Sequence, residues 1–371
     1  MHYLIALISL FIPGLALAAD ADEMVALKKR VEILEQRNAE LYHDLAEKKD
    51  AGRSTWISDH LSISGLLEVE AATERQRFKN GNTDSTSDLI LATAQLGLGI
   101  AVNESIGGDL ILLFEEDEEG DDRVVVDEAA VNLGSGAWSG RIGRQYLPFG
   151  HFHSHFINDP LTLELGETRE TALLAGYDGG SWSLSAFAFN GQADRDGGEN
   201  HLDDFGLSLS LTPHENMEFG VSYLSDLADS DAQLADDYRK RVGGWSAYAE
   251  GVTGPLKLSG EILGADRRFA AADLDADGNG KGDRPLAWNL EAATDLSETV
   301  EIALRLEGSR ELAETPETQY GAAISWSPYP HVSLSLEYLR GEYDRRFAAL
   351  DAADSPMQTR DLVSSQLAIE F

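Results

Sequence analysis

The stretch RQYLPFGHFHSHFINDPLTLELGET, residues 144–168, sets His151, His153 and His155 at alternate positions. Continued strand geometry would put all three imidazoles on one face, and neutral imidazole is the commonest side-chain metal ligand. Two features argue against a metal centre. Pro148 lacks the N–H a strand would use, so the strand is expected to end there. In addition, no carboxylate stands nearby in sequence to orient the rings. The chemistry expected of these histidines is neutral hydrogen bonding at the mouth of a passage, with charge gained as pH falls through about 6.5.

The same stretch carries Phe152, Phe156, Leu161, Leu163 and Leu165, which are poorly placed in water. Residues 150–168 are therefore expected to fold inward against a wall as a constriction loop. Its members are His151, Phe152, His153, His155, Phe156, Asp159, Glu164 and Glu167. The apolar residues would meet the wall, and the histidines and acids would line the opening. A second chemical candidate is DLDADGNGKGD, residues 273–283. Asp275, Asp277, Asn279 and Asp283 fall at calcium-loop positions, but Leu286 stands where such loops place a bidentate Glu. A solvated loop tip is the expected reading, with bound calcium the alternative. No Gly-x-Ser-x-Gly elbow or other nucleophile constellation is present, so no enzymatic activity and no cofactor are expected.

An inward-folding loop needs a hollow wall, and the rest of the chain supplies its pattern. From His60 to Phe371 apolar and polar residues alternate with period two. In VEIALRLEG, Val300, Ile302, Leu304 and Leu306 separate from Glu301, Arg305 and Glu307. Short turns alternate with long connections, polar except for 150–168, near 74–87, 116–122, 150–168, 190–201, 226–241, 267–284, 311–317 and 342–360. This predicts an all-β fold, a transmembrane antiparallel barrel of about sixteen strands spanning residues 59–371. Trp138, Trp182, Trp245, Trp326 and Tyr329 sit near predicted strand ends, as interfacial residues should. The closing segment LVSSQLAIEF sets Val363, Leu367, Ile369 and Phe371 on one face, like the terminal strand of outer-membrane barrels.

The face opposite the apolar one carries Glu68, Glu70, Glu250, Glu261, Glu291, Glu301, Glu307 and Glu337, with Arg305 among few bases. These residues are expected to face the lumen. A carboxylate-lined pore favours cations, which makes small cationic solutes candidate partners.

Residues 1–18 read as a signal peptide cut after Ala18 or Ala19. Residues 22–50 carry a heptad with Met24, Val31, Asn38 and Leu45 at a and Leu27, Leu34 and Leu41 at d. Arg30–Glu35 and Asp44–Lys49 would form attractive pairs between parallel neighbours. A periplasmic coiled coil that makes a homo-oligomer, with a trimer favoured, is the expectation. Residues 51–58 form a linker to the barrel. The chain has no cysteine and a formal net charge of −36, which excludes disulfides and disfavours nucleic acid as a partner. The expected setting is the outer membrane of a Gram-negative cell, with its lipid bilayer as partner.

Within Gly143–Thr168, GRQYLPFG followed by INDPLTLELGET resembles the LbtU family of siderophore porins, and the order of signal peptide, short coiled coil and barrel ending in Phe is similar to that family. The resemblance implies passage of a ferric siderophore across the outer membrane. The residues before the barrel are too few for a folded plug. The alternatives are a general cation-preferring porin without siderophore selectivity, and an envelope-tethering or adhesion protein whose coiled coil is the working part.

Overall fold

The computed structural model describes residues 60–116, 123–195, 197, 201–351 and 353–371. The signal segment, the seam from Met24 to Leu45 and the linker at 51–58 lie outside the described residues.

The chain forms β1 (Leu61–Phe78), β2 (Thr83–Asn103), β3 (Ile106–Glu115), β4 (Arg123–Ser135), β5 (Trp138–Tyr146), α1 (Leu161–Gly166), β6 (Arg169–Asp178), β7 (Trp182–Phe189), β8 (Asp194–Arg195), β9 (Asp204–His214) and β10 (Met217–Leu224). It continues through β11 (Asp237–Tyr238), β12 (Gly244–Thr253), β13 (Leu256–Ala265), β14 (Leu286–Ser297), β15 (Val300–Arg310), β16 (Thr318–Tyr329), β17 (Val332–Glu342) and β18 (Met357–Glu370). Strands β8 and β11 pair with each other in parallel. The other sixteen close into one antiparallel barrel, β1 pairing with both β2 and β18.

Alternation decides which side chains meet which solvent. On β15, Ile302, Leu304 and Leu306 are exposed on the outer face, while Ala303, Arg305 and Glu307 are buried inside. A lipid-facing wall has this pattern, because closure satisfies every ladder group and the outer side chains need only be apolar. Trp138, Trp182, Trp326 and Tyr329 are exposed at the short-turn rim. There Trp138 packs edge-on against Tyr177 at 4.8 Å. Trp245 begins β12 at the opposite rim.

One expected long connection is absent. Residues 74–87 are mostly strand, with a tight turn at 79–82. The ladder continues through Glu74↔Thr86 and Arg77↔Thr83. That hairpin runs past the apolar band, where both faces suit polar side chains and a strand no longer needs apolar alternation.

The barrel closes at Gly65 and Phe371, whose backbones exchange hydrogen bonds of 2.8 and 3.0 Å. The Phe371 ring lies on Gly65 so closely that any Cβ there would collide with it. The largest apolar cluster lies inside the barrel. Phe149, Leu161 and Leu165 meet Phe187, Phe189, Leu224, Leu227 and Leu263, with Phe152 packed against them.

Candidate functional site

The connection between β5 and β6 enters the lumen. Gly150 (φ 86°) and Phe152 (φ 54°) adopt left-handed backbone that turns the chain inward. A side chain at Gly150 would strike the Phe152 ring, so the turn requires glycine. Phe156 then lies on a patch of inward alanines, Ala293, Ala303 and Ala323, from three successive strands. Of the five apolar loop residues, Phe152, Phe156, Leu161 and Leu165 pack on the wall; Leu163 is half-buried and belongs to none of the clusters.

Wall carboxylates grip the loop backbone. Glu261 on β13 accepts from the N–H groups of His151 (2.8 Å) and Phe152 (3.0 Å), from Thr162 Oγ1 (3.1 Å) and from Ser246 Oγ (3.0 Å). Glu291 accepts from His155 N–H at 2.8 Å, Glu307 from Leu161 N–H at 2.8 Å, and Glu337 from Ile157 N–H at 2.6 Å. Asn158 also donates to Glu337. Loop amides have no ladder to satisfy them, and a buried amide left alone is costly. The inward glutamates supply the missing acceptors. Glu261, Glu291, Glu307 and Glu337 are accordingly buried under the loop and do not face open water.

The histidines turn to the wall. His151 Nε2 lies 3.2 Å from Glu250 Oε2 and its ring stacks on Tyr248 at 4.0 Å. His153 Nδ1 is 3.3 Å from the same oxygen, out of line for a hydrogen bond. His155 Nδ1 is 2.9 Å from Glu301 Oε1, and the other oxygen, Glu301 Oε2, accepts from Lys257 Nζ at 2.8 Å. Burial pulls the His151 ring toward its neutral form, but the hydrogen bond to Glu250 and the charges of Glu250, Glu261 and Glu218 prevail, and its pKa is raised. Among the described residues, the acidic or histidine groups whose ligand atoms converge within 4.8 Å are Asp275–Asp277–Asp283 and Asp204–Asp226–Asp229; neither includes a histidine. The three imidazoles thus do not bring ligand atoms together within that distance.

The loop's partners lie on β10, β12 to β15, β17 and β18. The side of the lumen toward β1 to β5 holds none of these partners. Asp159 and Glu164 are exposed there, and Glu68 and Glu70 of β1 are half-buried within electrostatic reach of Asp159. Asp109 and Glu128 hold Arg141 between them, each at 2.6 Å. Enclosure by the barrel pushes Glu164 up to about 7, against the pull of Arg360 and with help from Glu307 and Asp159. Glu167 is pushed up to about 7 by burial, then by Asp231 and Asp159. Asp159 is likewise raised by its enclosure within the barrel, with Arg305 opposing.

In the calcium-like loop the carboxylates serve their own backbone. Asn279 N–H donates to Asp275 (3.0 Å) and Asp277 (3.1 Å), and Ala276 N–H donates to Asp283 at 2.6 Å. Leu286 already belongs to β14, which commits the twelfth position to the wall. Two features lay beyond the reading of the sequence: the gripping role of the wall glutamates, and the Asp204–Asp226–Asp229 group. Both join residues far apart in the chain.

No family model matches the chain. It is 29% identical over 216 residues to a UPF0422 protein of Coxiella burnetii (strain RSA 493 / Nine Mile phase I), covering 54% of this chain and 46% of that protein. It is 22% identical over 358 residues to a UPF0422 protein of Legionella pneumophila (strain Lens), covering 84% of this chain and 66% of that protein. The chain thus spans about half to two thirds of the length of these curated relatives. Among solved structures, the outer membrane channel DcaP of Acinetobacter baumannii matches with TM-score 0.61 at 15% identity, over 84% of this chain and 97% of that one. The anion-selective porin of Comamonas acidovorans matches with TM-score 0.61 at 12% identity, over 84% and 99%. The chain has the closed sixteen-strand barrel fold of these porins, and its sequence relatives are UPF0422 proteins of Gram-negative bacteria.

Proposed function

We propose that the protein is a diffusion channel of the Gram-negative outer membrane, narrowed by residues 150–168 and selective for cationic solutes. The observation that carries this reading is the placement of Asp159 on the loop within electrostatic reach of Glu68 and Glu70 on the wall, with the exposed Glu164 acting on Asp159's side of the loop. Carboxylates facing each other across a narrow opening favour cations and repel anions. An anion-selective porin shares the fold, so the sign of selectivity must come from these side chains and not from the barrel.

A narrower reading rests on the resemblance of Gly143–Thr168 to siderophore porins. On it, the solute is a ferric siderophore, and the acidic opening favours complexes whose net charge is zero or positive. The seam from Met24 to Leu45 supports assembly into a homo-oligomer, with a trimer favoured.

The test is the reversal potential of the full-length protein in planar bilayers under a KCl gradient. Preference for K⁺ is expected, and preference for Cl⁻ would overturn the reading. Proteoliposome uptake of ferric siderophores of graded charge tests the narrower one. Equal exclusion of all of them would leave a general cation-preferring channel.

A further inference from the structure

A second acidic group lies away from the passage, at the long-loop end of the barrel. Asp204 opens β9; Asp226 and Asp229 belong to the short 3-10 turn that follows β10. All three are buried, and each offers a carboxylate oxygen within 4.8 Å of the other two. Arg241 is the cation at the group. It lies 3.3 Å from Asp204 Oδ1 and 3.5 Å from Asp226 Oδ2, and it is also drawn to the exposed Asp203 at 3.1 Å. Asp229 is not among these ion-pair partners of Arg241. Its Oδ1 accepts from Ala193 N–H at 2.9 Å, while its Oδ2 is buried with no hydrogen-bond partner.

A buried carboxylate oxygen with no donor, beside two further carboxylates, is electrostatically unbalanced by a single shared guanidinium. A hard divalent cation balances it. Calcium takes oxygen ligands at about 2.3–2.6 Å, so oxygens on opposite sides of one ion lie about 4.8 Å apart. Magnesium demands tighter octahedral distances near 2.1 Å and keeps most of its water, which suits a buried all-carboxylate group less well.

We propose that Asp204, Asp226 and Asp229 form a calcium site. Through Ala193 and Asp229 it ties the segment that follows β7, at 190–193, to the 225–243 connection. The latter touches the constriction loop directly, since Asp231 N–H donates to Glu167 O at 2.7 Å. Calcium would therefore stiffen the roof over the constriction. The site stands independently of the channel reading.

The test is calorimetric titration of chelator-treated, folded full-length protein with CaCl₂ and, separately, MgCl₂. One saturable Ca²⁺ event is expected, weakened at least tenfold by Asp229→Asn and unchanged by Asp277→Asn. Ca²⁺ should also raise the melting temperature of the wild type and leave that of Asp229→Asn unmoved, with heat-modifiable gel mobility confirming that the variant is folded. Wild-type protein that binds no Ca²⁺ overturns the proposal whatever the variants do. So does binding that survives Asp229→Asn, or binding lost with Asp277→Asn in its place.

Discussion

Arg305 and Glu291 lie side by side on β15 and β14, Nε to Oε1 2.9 Å, with both side chains fully buried inside the barrel. The guanidinium reaches on into the loop. It donates to Asn158 O at 2.9 Å and to Ser154 Oγ, and it sits 4.3 Å from the centre of the Phe156 ring. Glu291 meanwhile accepts from His155 N–H. The pair is one foundation under two points of the loop. Glu291→Gln removes one partner of a buried ion pair, which typically costs about 3–5 kcal/mol. The expected outcome is a lower temperature for the heat-modifiable transition and noisier single-channel current. Glu68→Gln, on the open side, should leave the transition near its wild-type value.

Deleting residues 152–163 removes the segment that crosses the lumen. Single-channel conductance is expected to rise severalfold, with weaker discrimination against bulky solutes in liposome swelling. Conductance at the wild-type value would place the constriction elsewhere.

Selectivity should depend on pH. Glu164 and Glu167, each pushed up to about 7, are largely neutral at pH 5.5 and ionised at pH 8.5. A raised carboxyl pKa means that charge arrives late as pH rises. The K⁺/Cl⁻ permeability ratio is therefore expected to climb through pH 6–8. The double variant Glu164→Gln, Glu167→Gln should flatten that climb without closing the channel.

His151 gives a stability effect that declines with pH. Its pKa is raised above 6.5 in the folded protein, burial being outweighed by Glu250 and its acidic neighbours. Stabilisation by the His151–Glu250 pair is fully present below the unfolded value and is lost as pH rises through the folded one. The melting-temperature difference between wild type and His151→Gln should shrink from pH 6 to pH 9. A difference that grows with pH would reverse the assignment of charge.

Much of the wall was legible because lipid and water sort side chains with period two. Ile302 and Glu307 declare their faces locally. The hairpin at 74–87 resembles a loop in sequence because its strands run beyond the apolar band, where composition no longer distinguishes strand from coil. The inward turn of the loop was legible from Phe152, Phe156, Leu161 and Leu165, which had to leave water. What holds the loop was not. No sequence spacing links the amide of His151 to Glu261, or that of Ile157 to Glu337, because these contacts exist only once the barrel curves round. For the same reason sequence shows no carboxylate orienting the histidines, whereas Glu250 and Glu301, far along the chain, lie 3.2 and 2.9 Å from the His151 and His155 rings. Asp204, Asp226 and Asp229 gave no motif, since three separated aspartates in an acidic chain are unremarkable until folding buries them together.

The Gly65–Phe371 seam also has a kinetic meaning. The first barrel strand finds one of its partners only in the final one; Ser365 Oγ reaches Ala71 O across 294 positions of chain. Loop closure over such a separation is entropically slow. Until it happens, β1 is an open edge able to pair with any passing strand. The inward loop at 150–168 shares this delay, because its acceptors Glu261, Glu291, Glu307 and Glu337 all lie later in the chain than the amides they receive. During biogenesis the loop therefore stays undocked while half the wall is unbuilt, and the nascent barrel is both unsealed and unplugged until the last strands join.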